Sequence, residues 1–247
     1  MATEYLIYLA AGAAAGGFIN GLAGFGTALL ALGFWLQIMP PVMAVSMVVV
    51  MSVATGLQGV WVVRHALFDH PKRLARFAIP GLVGVPLGVA ALAIIEPQFL
   101  KVSIGGMMVI YGGFFAFRKS LPQLAQPTPV RDSVIGFLGG VLGGATSLSG
   151  ALPTMWCALR PWSKSETRAV LQPYNMVILS IAALLFLLRG HYTWGVVQQL
   201  LLALPVSVLS AQVGLALFKR LSDSQFRRLL IMLMFISGVI LLGKALV

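Results

Sequence analysis

Apolar runs of about 20 residues, separated by short polar or basic stretches, recur along the whole chain. At 1.5 Å of rise per residue, a run of that length carries one helix across a hydrocarbon layer about 30 Å thick. Residues 42–63, 75–95, 98–117, 168–188, 194–218 and 226–246 meet this requirement. Two further apolar stretches do not. Residues 5–39 are too long for a single crossing, and residues 132–159 are interrupted by glycine, so both are expected to bend.

The two irregular stretches resemble each other. A shift of 119 places GFINGLAGFGT (17–27) on GFLGGVLGGAT (136–146), pairing Gly17 with Gly136, Gly21 with Gly140, Gly24 with Gly143 and Thr27 with Thr146. Ala44-Val45 meets Ala169-Val170 at a shift of 125, and Gln98-Phe99 meets Gln225-Phe226 at 127. A duplication follows: a first repeat over 1–120, a connecting loop over 121–131 within the polar stretch RKSLPQLAQPTPVRD, and a second repeat over 132–247.

Charge decides how the spans are threaded. If 132–159 crosses once, the 17 Lys and Arg divide nine to eight between the faces, which is no bias. If it folds back as a hairpin, the division is fourteen to three, with only Lys101, Arg189 and Lys244 on the poorer face, as the positive-inside rule requires. Each half is then a hairpin plus three crossings, and the second half is inverted relative to the first. With the first stretch behaving alike, both termini lie on the periplasmic side.

Composition agrees with this threading. The chain is 59% hydrophobic and 9% charged, with mean hydropathy +0.96, and has no polar block large enough for a soluble domain. Glu4 stands where a signal peptide would be basic, so the first apolar run is expected to be retained. A net charge of +11 would suggest nucleic acid in a soluble chain, but here the basic residues sit in short loops and orient the protein in its bilayer. Cys157 has no partner thiol and reads as a packing residue. His65, Asp69 and His70 have metal-ligand composition without a second cluster, so no metal and no cofactor is expected.

Non-helical backbone survives at membrane depth only where protein or a water-filled cavity shelters it. The small-x3-small glycine pairs can serve close helix packing alone. They can also interrupt two helices near the midplane and turn free amides and helix N-termini toward a ligand. On that reading Gly24, Phe25, Gly26, Gly143 and Gly144 shape a substrate site. Asn20, Thr27, Thr146, Ser147, Ser149, Gln172 and Asn175 supply donors, and Arg168 supplies positive charge. All six acids fall in loops or at span ends, so the interior is expected to hold no buried carboxylate and to suit an anion, with Phe25, Trp35 or Trp156 against any organic tail. Pro173 is expected to kink its span.

The duplicated segments GFINGLAGFGTALLALG and GFLGGVLGGATSLSGALP resemble the sulfite exporter TauE/SafE family, whose halves each begin with a pattern like G-x-x-x-G-x-x-G-x-G-G. The chain departs from that pattern at Phe25, Thr27, Ala145 and Gly33. The resemblance implies secondary export of a small anion, sulfite or an organosulfonate such as sulfoacetate, across the bacterial inner membrane, with no catalytic residues. The expected architecture is an all-α polytopic membrane protein of two inverted-topology repeats, each a Gly-rich broken helix or hairpin plus three transmembrane helices. That makes about ten helical segments, or eight if each broken segment is counted once. The expected partners are a small anionic substrate and the lipid bilayer, not nucleic acid; the sequence leaves open whether the chain forms a homodimer. An anion channel, a membrane-embedded enzyme and a non-transporting subunit are the competing readings.

Overall fold

The structure is a computed structural model that describes residues 2–69, 71–91, 98, 102, 105, 106, 108–110, 112, 113, 124 and 126–246. Most of the expected span 98–117, much of the connecting stretch 121–131, and His70 lie outside the described residues. Among the described residues nine helices have defined bounds: α1 (Ala2–Ala23), α2 (Thr27–Trp35), α3 (Pro41–Asp69), α4 (Pro71–Ala91), α5 (Pro129–Thr146), α6 (Ala151–Ala158), α7 (Lys164–Leu188), α8 (Trp194–Arg220) and α9 (Asp223–Leu246). Five contain stretches long and apolar enough to cross a membrane: Thr3–Ala23, Val42–Ala66, Pro71–Ala91, Lys164–Leu188 and Trp194–Arg220.

Local sequence sets several helix ends. Pro129 opens α5, where its missing N–H and fixed φ suit the first turn. Ser163 and Glu166 form a reciprocal capping box at the start of α7, which runs unbroken through Pro173. Both glycine-rich stretches break as expected. α1 stops at Ala23, and residues 24–26 turn the chain into the 9-residue α2. α5 stops at Thr146, and residues 147–150 lead into the 8-residue α6.

Close contacts fix the direction of each helix. A Cβ on Gly17 would lie 2.2 Å from Ser207 O and one on Gly21 2.0 Å from Ala211 O, so α1 and α8 are parallel. Gly136, Gly140 and Gly144 face Phe77, Gly81 and Val85 in the same rising order, so α5 and α4 are parallel. Gly56 meets Gln172 and Met176, whereas Gly59 meets Arg168 and Gln172, so α3 and α7 are antiparallel. The Arg73–Glu166 ion pair and the Phe77–Tyr174 ring contact make α4 parallel to α7. Lys164 at the start of α7 donates to Phe218 O near the end of α8, so these two are antiparallel. Thus α1, α3 and α8 run one way and α4, α5 and α7 the other. Within the halves, α1, α3, α4 and α5, α7, α8 have the same relative pattern with every direction reversed.

The contacts also correct the repeat register. Gly17 and Gly21 make the same carbonyl contacts as Gly140 and Gly144, a shift of 123, and Gly88 on Val141 O matches Gly214 on Phe18 O, a shift of 126 in the partner helix. The sequence alignment at 119 is one helical turn out. Glycines spaced by four match almost equally well after a slip of one turn, so identity counts alone could not separate the two.

At one end of the bundle lie Arg64, Lys72, Arg73, Arg76, Arg131, Arg160, Lys164, Arg168, Lys219, Arg220, Arg227 and Arg228. Arg189 and Lys244 lie at the other, and Lys101, Arg118 and Lys119 fall outside the described residues. The hairpin threading read from charge is therefore the one observed. The expectation of no buried carboxylate is not met: Asp132, in the first turn of α5, is 4% exposed and paired with Arg160, Nη2 to Oδ1 2.7 Å. A span-end position need not be exposed: α6 and the segment before α5 cover this one.

Candidate functional site

The two helix breaks touch. A Cβ on Gly150 would lie 2.7 Å from Phe25 Cβ, Asn175 Nδ2 donates to Gly24 O at 3.0 Å, and Ser149 Oγ donates to Asn175 Oδ1 at 2.6 Å. Asn20 Nδ2 donates to Ser52 O at 3.1 Å and to Thr55 Oγ1 at 2.5 Å, and Thr55 is the central residue of the 29-residue α3. The breaks therefore meet at the middle of the longest helix.

Each break is built by unusual backbone. Gly24 and Gly26 take φ of 84° and 93°, a left-handed conformation that glycine adopts without a Cβ penalty. The second break uses Ser147, with φ 60°, whose N–H closes on Gly143 O at 3.0 Å. A non-glycine residue in this region carries strain of about 1 kcal/mol or more. Neither α2 nor α6 has a side-chain N-cap. Among the described residues, the amides of Phe25, Gly26, Thr27 and Ala28, and of Ser149, Gly150 and Leu152, donate to no acceptor.

Between the breaks is a cavity of about 20 Å³, on the scale of one or two water molecules. Of the residues expected to form a site, Asn20, Phe25, Gly26, Thr27, Ser147, Ser149 and Asn175 line it. Ser52 also lines it; it was legible as a polar residue within a span, but not as one facing the breaks. Among the described residues, none that lines it is ionisable. Thr27 Oγ1 and Ser147 Oγ are buried and have no hydrogen-bond partner among the described residues. A buried hydroxyl without a partner forfeits about 1–3 kcal/mol of solvation, so the pair marks a place where a ligand can bond.

The other expected residues stand behind the cavity wall. Gly24 turns the chain and offers its carbonyl to Asn175. Gly143 packs on Ile178 and Ser149, and Gly144 on Val85 O. Thr146 Oγ1 donates back to Leu142 O at 2.9 Å within its own helix. Gln172 Nε2 donates to Asn20 Oδ1 at 3.3 Å. Arg168 is fully buried: its guanidinium donates to Leu22 O at 3.2 Å, Asn20 O at 3.4 Å and Gln172 Oε1 at 2.9 Å, and lies 4.4 Å from the Phe218 ring centre. It caps the carbonyl end of α1. The two tryptophans do not line the cavity. Trp35 Nε1 donates to Leu9 O at 3.1 Å and binds α2 to α1, and Trp156 Nε1 donates to Asp132 Oδ1 at 2.7 Å.

The sequence matches the family model described as sulfite exporter TauE/SafE over residues 8–241, nearly its full length. The chain belongs to the sulfite exporter TauE/SafE family. No curated protein matches it. Membership places this membrane protein in a family of anion-exporting transporters.

Proposed function

We propose that the protein is a secondary carrier exporting a small oxyanion, sulfite or an organosulfonate such as sulfoacetate, and that the anion binds between the two helix breaks. The observation that carries this reading is the convergence of two N-termini without side-chain caps, with free amides and the partnerless hydroxyls of Thr27 and Ser147, on one cavity without a carboxylate. Helix N-termini and free amides are the protein's standard anion ligands.

The crowded basic end of the bundle is assigned to the cytoplasm and the termini to the periplasm of the bacterial inner membrane. Outward movement of one negative charge is then favoured by about 2.3 kcal/mol per 100 mV of inside-negative potential. The cavity is too small for a tetrahedral anion as it stands, which favours a carrier that opens to each side in turn over a continuous pore. The two hairpins, entering from opposite faces and meeting at their tips, are the parts that separate.

The test is counterflow in proteoliposomes: a carrier loaded with unlabelled sulfite accumulates labelled sulfite transiently against its gradient, whereas an open pore only equilibrates it. Thr27→Val should reduce counterflow at least about tenfold, the loss of one bond to a charged ligand. Absence of counterflow with intact, folded protein would remove the carrier reading.

A further inference from the structure

One charge is left over around the cavity. Each helix end carries roughly half an elementary charge, positive at the N-terminus and negative at the C-terminus. Four ends meet at the breaks, the C-termini of α1 and α5 and the N-termini of α2 and α6, and they cancel in pairs. Arg168 does not cancel. It is fully buried, forms no ion pair among the described residues, and is bonded only to carbonyl and amide oxygens. The cavity lining contributes no ionisable group, so the site as a whole is left with about one positive charge.

We propose that this pocket selects an oxyanion with a single negative charge, hydrogensulfite or a simple alkylsulfonate and not a dianion such as sulfate or doubly ionised sulfoacetate, with the Arg168 guanidinium as its counter-charge. The inference rests on the anion-carrier reading and specifies its substrate. A monoanion neutralises the buried arginine, whereas a dianion leaves one charge unbalanced in a dry site, at a large desolvation penalty.

Hydrogen-bond directions support the same assignment. Arginine only donates, so Gln172 must turn Oε1 to Arg168 and Nε2 to Asn20 Oδ1, and Asn20 must then spend its Nδ2 hydrogens on Ser52 O and Thr55 Oγ1. Arg168 thereby acts as a positioning residue, holding Asn20 through Gln172, as well as the source of charge. The Ser149 proton is committed to Asn175 Oδ1, which leaves the serine oxygen as an acceptor beside the cavity. Hydrogensulfite can use that acceptor and the sulfite dianion cannot; an alkylsulfonate matches the charge but leaves the acceptor unused.

The experiment uses full-length protein in proteoliposomes, with methanesulfonate and sulfate competing against labelled sulfite between about pH 6 and 8.5. Methanesulfonate should compete equally across the range, and sulfate should fail at a hundredfold higher concentration. The concentration of total sulfite giving half-maximal uptake should rise with pH, approaching about tenfold per unit once the dianion predominates. Sulfate competing as well as methanesulfonate, or sulfite uptake that improves as pH rises, would overturn the proposal while leaving an anion carrier in place. No competition by any anion would overturn both. Arg168→Lys should preserve the order of preference, and Arg168→Gln should abolish methanesulfonate competition; a folded Arg168→Gln protein with parental competition removes the counter-charge role. If that variant does not fold, the parent protein's own charge preference decides.

Discussion

Two arginines, eight residues apart, are both buried, yet their surroundings are opposite in kind. Arg160 is enclosed by Asp132, the Thr128 hydroxyl, and the carbonyls of Leu124 and Gln126, with the Trp156 ring centre 5.1 Å away. Its charge is matched, and its bonds fasten the segment before α5 to the end of α6. Arg168 has no carboxylate among the described residues, only the carbonyl end of α1, the Gln172 amide and the Phe218 ring. The first arrangement holds a hairpin in place. The second keeps a positive charge against the tip of the first hairpin, where on the proposed reading a mobile anion answers it. Burial alone therefore says nothing about the role of a charged residue; what completes its bonding does.

The largest effect should come from stranding Arg160. Asp132→Leu removes its counter-ion and should cost about 3–5 kcal/mol, read as a sharp fall in thermal stability of the detergent-solubilised protein. Next is Arg168→Gln. It loses charge-assisted bonds of about 1.5–3 kcal/mol each but also removes a desolvated, unmatched charge, so the net loss of stability should be smaller than for Asp132→Leu, with transport down at least about tenfold. Equal destabilisation by the two substitutions would erase the distinction between the arginines. Thr55→Val takes one acceptor from Asn20 and should cost about 1 kcal/mol, with weaker sulfite affinity in the same thermal assay. Smallest in stability is Ser147→Gly. It relieves the left-handed strain while deleting a partnerless hydroxyl, so the melting temperature should stay level or rise by an amount equivalent to about 1 kcal/mol or less, while affinity falls. A stable Ser147→Gly protein with unchanged affinity would show that the hydroxyl is not a ligand.

Much of the architecture was legible in the sequence because it is written in quantities that need no side-chain direction. Glycine density marked both breaks, and the fourteen-to-three charge division selected the hairpin threading that the helix directions display. Side-chain direction was where legibility ended. Along one face of a helix, residues four apart are equivalent by periodicity, so the register of the repeat slipped by a turn, and Thr146 was grouped with Ser147 although one bonds its own helix and the other faces the cavity. Ser52 belonged to a span with several polar residues, and only the packing of α1 on α3 singles it out. Arg168 carried a visible charge, but whether it would meet a loop, a lipid headgroup or a helix terminus depended on where α1 ends. Asp132 follows the same rule, since much of its shelter comes from Trp156 and Arg160, 24 and 28 positions away.

The most direct test is to locate a bound anion by crystallography with selenite, a sulfite analogue whose selenium gives an anomalous signal. One peak should appear between the two breaks, with its oxygens within about 2.7–3.2 Å of the Thr27 and Ser147 hydroxyls and the free amides beside them. A peak confined to the arginine-rich end of the bundle, with nothing between the breaks, would contradict the account.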